Sequence, residues 1–267
     1  MGSLILEQIT GHPMPIDIDR ILRETFVAQA EHHPTIGSTN DHAAERARQQ
    51  PVELPLLVLA DQQTAGRGRG GNRWWTGSGC LALSLLVDAQ TVGAQDHRSP
   101  LVALAAAVAV VDTVRPLLPA HRISIHWPND VLATGRKLAG ILVEVLPDRR
   151  HVVGIGLNTN NRLADAPPEL QATAATLWDL SGVEQDQTAV LIGLLNCLES
   201  EFSQLRVNPA SVTSRANELC LQRGSTLTIV TGGQQIVGTC RGIDSDGAIL
   251  LETPAGIQRF MSGVLRQ

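Results

Sequence analysis

No two of the four cysteines, Cys80, Cys197, Cys220 and Cys240, stand at the C-x-x-C spacing of a zinc or redox site. In a chain of 267 residues they read as buried, reduced thiols, which suits the cytosol. Charge is also sparse. Charged residues make up 18% and the net charge is −5. A general nucleic-acid binder shows a basic domain, so this balance argues against that role and leaves only local basic patches. None of the eight histidines falls in an H-E-x-x-H pattern, and no G-x-S-x-G elbow occurs, which leaves metal and serine hydrolases little support. The start, "MGSLILEQITGHPMPID", lacks the basic opening, apolar run and cleavage site of a signal peptide. The longest charge-free apolar run, Pro100 to Val111, is shorter than the roughly 20 residues that span a bilayer, so it reads as a buried helix. Internal repeats and low-complexity tails are missing. The expectation is a soluble, cytoplasmic chain with no membrane partner.

What is present is an ordinary core composition, 43% hydrophobic. "GSTNDHAAERARQQP" reads as a helix with Ser38 and Asp41 in a capping pattern and Pro51 as its stop. "LPLLVLADQ" and "CLALSLLVDA" are apolar runs of strand length. "SPLVALAAAVAVVDTVRP" reads as a helix capped by Ser99, with Pro100 in its first turn and Pro116 beyond its end. "RISIHW" is a short strand, and "KLAGILVEVL" with "HVVGIGLN" forms a hairpin across "PDRR". Apolar spacing of three and four in "TAVLIGLLNCLESEFSQL" gives an amphipathic helix, and "PASVTSRANELC" a shorter one. After Cys220, four short strands separated by "TGG", "DSDG" and "TPAG" predict a small antiparallel barrel. The domains expected are a short extension over 1–34, a mixed-sheet α+β domain over 35–220 with its sheet covered on one face, and the barrel over 221–267. The segment ahead of Gly37 falls short of the roughly 50 residues of an independent DNA-binding module.

Four clusters carry chemistry. The first is "QQTAGRGRGGNRWW", Gln62 to Trp75, which sets Arg67, Arg69 and Arg73 among four glycines between two strand-like runs. Glycine lets backbone N–H groups approach an anion, and arginine grips carboxylate or phosphate with a planar fork. It is not a Walker loop, since G-x-x-x-x-G-K-[ST] is absent; the bland reading is a solvated turn. The second is "HWPNDVLATGRKLAGILVEV", His126 to Val145. Its proline ends a strand, leaving Asn129 and Asp130 at the strand end. Lys137 follows a turn, where it reads either as a phosphate contact or as a solvated lysine. In the third, "GIGLN", Gly154 and Gly156 mark a close approach of ligand or of neighbouring protein. In the fourth, "GSTN", Ser38 and Thr39 either cap the helix or turn hydroxyls toward a small polar ligand.

Together, and in this order, "GSTN", "ADQQTAGRGRGGNRWW", "WPNDVL…GRKLAGILVEV", "GIGLN" and "GTCRGIDSDGAILLE" resemble the catalytic core of the biotin protein ligases, from about Thr35 to the C-terminus. The resemblance implies a mixed sheet akin to the class II aminoacyl-tRNA synthetase core, with a small SH3-like barrel. It implies activation of biotin by ATP and Mg²⁺ to biotinyl-5′-AMP, then transfer to a lysine of a biotin carboxyl carrier domain. The catalytic set it implies is Lys137, Arg67, Arg69 and Asp130. Lys137 would bridge carboxylate and α-phosphate, and Asp130 would orient the incoming amine. Biotin would lie among Ser38, Thr39, Asn40, Gln63, Gly66, Arg67, Trp74, Lys137, Gly140, Gly154 and Gly156. The nucleotide would meet Arg69, Asn129, Lys137, Asn158 and Arg241, with no dedicated protein metal site.

Two departures stand out. His126 occupies a position where such ligases commonly carry lysine, and Gly70, Gly71 and Asn72 replace further basic residues, which implies a looser loop. A short N-terminus resembles members without a DNA-binding repressor domain, and specific DNA binding is not expected. Two other readings stay open: a lipoate ligase or octanoyl transferase of the same fold, and a biotin-sensing regulator. Monomer and homodimer are both open.

Overall fold

The apolar runs on either side of the Gly/Arg loop become two adjacent inner strands of a seven-stranded mixed sheet. The computed structural model describes residues 15–49, 51–93 and 99–266. The first fourteen residues and the side chain of Ser99, expected as a helix cap, lie outside the described residues.

The first elements are α1 (Ile18–Glu24), β1 (Gln29–Ile36), α2 (Thr39–Arg48), β2 (Leu56–Gln63), β3 (Leu81–Val87) and α3 (Ser99–Val114). Then come β4 (Ile123–His126), β5 (Asp130–Ala133), β6 (Arg136–Val145) and β7 (His151–Leu157). The helices α4 (Pro168–Gln171), α5 (Leu177–Ser181), α6 (Gln187–Val207) and α7 (Pro209–Leu219) follow. The chain closes with β8 (Thr226–Thr231), β9 (Gln234–Ile243), β10 (Ile249–Thr253), β11 (Gly256–Phe260) and β12 (Val264–Arg266).

The large sheet has the order β1-β2-β3-β7-β6-β5-β4, with β1 parallel to β2 and every other pairing antiparallel. β1 starts at Gln29, so the sheet reaches back beyond Thr35. α3 packs on one face, with α6 and α7 behind it. It is apolar all round, the pattern of a helix buried on every side. Counting the 3₁₀ turn after it, Pro100–Leu117 is apolar enough over 18 residues to suit a bilayer by composition, but two-thirds of that stretch is buried inside this fold. The opposite face is not bare, as a one-sided sheet would be. α2 packs there against β2, β3 and β7, burying Ala43 and Ala47 on Leu56, Val58, Leu86 and Val152. β2 and β3 are therefore covered on both faces, which is why they read as unbroken apolar runs. Toward β6 that second face is uncovered, and the candidate site forms there.

The C-terminal sheet is antiparallel, in the order β11-β10-β9-β8-β12, and gains a fifth strand beyond the four expected. It is tied to the large sheet through Trp127, whose indole Nε1 donates to Gly247 O at 2.9 Å. All four cysteines are thiols; Cys197 is half-buried and the others are buried. Burial pushes the Cys80 thiol up to about 12, which makes it inert.

His151, at the start of β7, is buried. Burial holds its pKa below the ordinary histidine value. The unfolded chain therefore binds the proton first. Stability is full above about pH 6.5 and falls as the pH drops below it, by at most about 1.4 kcal/mol per pH unit for one histidine. We expect a lower thermal midpoint at pH 5.5 than at pH 7.5, and a smaller drop for His151→Gln. A midpoint unchanged across that range contradicts the assignment.

Candidate active site

The corner from β1 into α2 places a helix N-terminus at the open face. Ser38 caps α2, its hydroxyl accepting from Asp41 N at 3.4 Å. It also lines the cavity described below, so the cap and the ligand-facing readings coincide. Thr39 donates from its backbone N (2.8 Å) and hydroxyl (3.2 Å) to Gln63 Oε1 at the end of β2. The buried Ser84 hydroxyl of β3 lies 2.8 Å from Thr39 Oγ1 and 2.6 Å from Asn40 Oδ1. Asn40 Nδ2 donates to Glu144 Oε2 on β6 at 2.7 Å. Polar side chains from α2, β2, β3 and β6 thus form one connected network, and such networks fix their members' rotamers.

The Gly/Arg loop is a narrow hairpin. Arg67 and Arg73 pair across it as an antiparallel bridge, Gly68 N donates to Asn72 O at 2.7 Å, and Trp74 N donates to Gly66 O at 3.0 Å. At the tip, Gly70 and Gly71 have φ of +67° and +82°, a region that disfavours any side chain. Asn72 Nδ2 closes the turn by donating to Arg69 O at 2.9 Å. The "GGN" departure thus supplies the two left-handed residues and the closing amide of this turn. A Cβ at Gly66 would lie 2.6 Å from Trp74 O, so that glycine permits the hairpin to close.

The floor is glycine. In the β6–β7 register, Gly140 faces Gly156 and Leu142 faces Gly154, while Asp130 of β5 faces Gly140. A Cβ at Gly154 would lie 2.1 Å from Asn40 Oδ1, and one at Gly156 would lie 2.2 Å from the Trp74 ring. Both glycines make room for protein side chains, the packing alternative read from the sequence. Gly156→Ala must push the indole off the sheet. Overpacking of this kind costs about 1–3 kcal/mol. We expect a lower thermal midpoint in scanning calorimetry; a variant that keeps the wild-type midpoint would show that Trp74 does not need this seat.

Lys137 sits between these parts. Its backbone is clamped by two bonds, N to Thr173 O and Ala175 N to Lys137 O, each 2.8 Å. Its Nζ lies 2.8 Å from Asp130 Oδ2 and 5.8 Å from the Trp74 ring centre. Asp130 Oδ1 is buried with no hydrogen-bond partner among the described residues. Arg67 is held 2.6 Å from Glu144 and 2.7 Å from Asp41. Burial alone would lower its pKa, but these two carboxylates hold it above the ordinary arginine value. Arg69 differs: it makes no ion pair with any described residue and lies 6.0 Å over the Trp127 ring. Burial lowers its pKa, with Asp130 opposing. It is a desolvated cation free to meet an anion. His126 is half-buried and neutral at pH 7, because burial lowers its pKa and Lys137 adds to that effect against Asp130.

Ser38, Thr39, Asn40, Gln63, Arg67, Arg69, Trp74, Asn129, Asp130, Lys137, Gly140, Gly154 and Gly156 line a single cavity of about 110 Å³. Asn158 is buried and faces a second cavity, of about 150 Å³, which shares Trp74 and Lys137 with the first. Arg241 is not gathered in. It projects from β9 onto Glu252 of the next strand and lines neither cavity. Three participants were not read from the sequence: Asp41, Ser84 and Glu144. The signal for Glu144 was available, since it lies at even spacing from Gly140 on β6 and so shares its face.

Residues 33–160 match the biotin/lipoate A/B protein ligase family, and residues 224–264 match the biotin protein ligase C-terminal domain. The biotin–[acetyl-CoA-carboxylase] ligase of Mycobacterium tuberculosis is 35% identical, over 89% of this chain and 90% of its own length. This chain belongs to the biotin/lipoate A/B protein ligase family. The bifunctional ligase/repressor of Bacillus subtilis is 32% identical over 86% of the chain and 71% of that protein. Among solved structures, the biotin protein ligase from Aquifex aeolicus in complex with biotin and ATP superposes with a TM-score of 0.78 at 26% identity, covering 90% of this chain and 99% of that one. The family fold, a mixed α+β core with a C-terminal β domain, is the one built above from the sheet register. In this ligase-family chain the glycine floor and the Gly/Arg hairpin come from both sides of that core sheet's centre.

Proposed function

We propose that this chain is a biotin–protein ligase that activates biotin with MgATP to biotinyl-5′-AMP and then passes biotin to a lysine of a biotin carboxyl carrier domain. The observation that carries the reading is the convergence of Arg67, Arg69 and Lys137 on one glycine-floored cavity. In the first step a biotin carboxylate oxygen attacks the α-phosphorus of ATP, and pyrophosphate leaves with the broken P–O bond. Two anions must meet, so preorganised cations that neutralise the developing charge lower the barrier. Mg²⁺ arrives with the nucleotide as substrate and screens its phosphates. Arg67 is oriented for the carboxylate, Arg69 has no carboxylate of its own and suits the α-phosphate, and Lys137 stands between them.

The polar network of Ser38, Thr39, Asn40 and Gln63 suits the ureido head of biotin, with Trp74, Gly66, Gly140, Gly154 and Gly156 forming the apolar slot. Asn129 and Asn158 lie toward the nucleotide side. In the second step the carrier lysine nitrogen attacks the acyl carbon and AMP leaves. The Asp130 Oδ1 acceptor, buried without a partner, suits orienting that amine. Arg241, paired with Glu252 on the barrel side, would have to leave that exposed partner to meet the nucleotide. The reaction belongs in the cytoplasm, where thiols remain reduced.

Incubating the purified protein with biotin, MgATP and a carrier domain should yield biotinylated carrier, detected by a mass increase on the acceptor lysine. Folded protein that transfers no biotin, or that prefers lipoate when the two acids compete, would overturn the reading.

A further inference from the structure

Glu31 and His33 are two residues apart on β1, and so point to the same face of the sheet. His42, in the second turn of α2, meets them there. One donor atom from each side chain lies within 4.8 Å of the other two. His42 Nε2 is 2.8 Å from Glu31 Oε2, and His33 Nε2 is 3.6 Å from the same oxygen. The two rings meet edge to face, with centroids 4.6 Å apart. His33 Nε2 is shielded from solvent and has no hydrogen-bond partner among the described residues. A shielded polar atom left unpartnered calls for an explanation. Here both imidazoles converge on one carboxylate oxygen, which His42 already occupies.

We propose that Glu31, His33 and His42 form a binding site for a divalent transition-metal ion of the Zn²⁺ type. Two imidazole nitrogens and a carboxylate are a donor set that Zn²⁺ accepts, with a fourth position left for water. Bonds of 2.0–2.1 Å in tetrahedral geometry separate neighbouring donor atoms by about 3.3 Å. The observed 2.8 and 3.6 Å bracket that spacing. The other carboxylate oxygen, Oε1, accepts from Arg46 Nε at 2.7 Å and from Gln29 Nε2 at 3.3 Å. Those bonds fix the carboxylate and turn Oε2 toward the histidines, the orienting role that outer partners play at metal centres. The carboxylate also stands between Arg46 and the ion. The three side chains are 21–32% exposed, so an ion can enter directly from water. Bound there, it would staple β1 to α2 across the corner that carries Ser38, Thr39 and Asn40. The site makes no use of biotin or ATP.

The test is a Zn²⁺ titration of the full chain, without an affinity tag or biotin, by calorimetry, with Co²⁺ absorption spectra to report geometry. One equivalent of Zn²⁺ should bind, the thermal midpoint should rise with excess Zn²⁺, and Co²⁺ should give tetrahedral d–d bands. His33→Gln and His42→Gln should each weaken Zn²⁺ at least tenfold, and Glu31→Gln likewise. His32→Gln, whose ring pairs with Asp61 at 2.7 Å, should leave it unchanged. If the wild-type chain binds no stoichiometric Zn²⁺, the three residues are only an ion-pair cluster and the proposal fails. Binding that survives in folded His33→Gln and His42→Gln proteins overturns it equally.

Discussion

Lys137→Ala should slow formation of the acyl-adenylate by about 10²–10³, the loss expected when one preorganised electrostatic contact to a transition state is removed. Biotin affinity should fall much less. The asymmetry follows from where Lys137 stands. Its backbone is fixed at both N and O, so the side chain leaves from a rigid point. Its amine is directed by Asp130 at 2.8 Å, on the wall shared by the two cavities. A cation there gains most when carboxylate and phosphate charges are closest, and that happens in the transition state. In the proposed scheme the head group meets Gln63, Thr39 and Asn40, whose bonds do not involve Lys137. The measurement is single-turnover adenylate formation beside equilibrium biotin binding. Equal losses in both would make Lys137 an ordinary binding residue. Truncation also leaves Asp130 with neither of its oxygens paired, so the variant's thermal midpoint should be taken alongside.

Trp127→Ala should lower the folding free energy by about 3–5 kcal/mol, the usual cost of truncating a large buried aromatic. That is a large share of the 5–15 kcal/mol that holds a typical protein together. Trp127 is fully buried, and three kinds of contact end on it. Its indole Nε1 donates to Gly247 O in the turn between β9 and β10. Its backbone N donates to Gln222 Oε1 at 3.2 Å, just ahead of β8. Arg69 of the hairpin lies over its ring. Removal opens a cavity where the two sheets join and strands the Gly247 carbonyl. Trp127→Phe keeps most of the ring and loses the Nε1 bond, so it should fall between wild type and alanine. Denaturant midpoints decide the matter. An alanine variant as stable as wild type would mean that the C-terminal sheet is held by other contacts.

The strands with strong local signals were legible: β2, β3, β6 and β7 announce themselves as apolar runs, and α3 and α6 through apolar length and spacing. β1 was not. Its sequence, QAEHHPTI, is polar and carries a proline, because it is an edge strand with much of its surface toward water. Only parallel pairing with β2 makes it a strand, and that pairing is invisible locally. β5 was lost because its four residues, DVLA, do not alternate as the equally short β4 does. Arg241 pairs with Glu252 on the neighbouring strand, a contact that only the β9–β10 pairing reveals.

By itself, the sequence determined the local geometry and the chemical inventory. Gly70 and Gly71 supply the left-handed turn of the hairpin, Ser38 caps α2, and the glycines of β6 and β7 leave the sheet without side chains where Asn40 and Trp74 must pass. The turn, the cap and the bareness of the glycines follow from steric rules acting within a few residues; that Asn40 and Trp74 fill the bare places is tertiary. The tertiary structure alone decided which charges meet: Arg67 with Asp41 and Glu144, Lys137 with Asp130, and Arg69 in no ion pair among the described residues. Those outcomes depend on the register of β5, β6 and β7 and on how the hairpin folds over them. Register is fixed by burial of the whole sheet, which no short stretch of sequence contains.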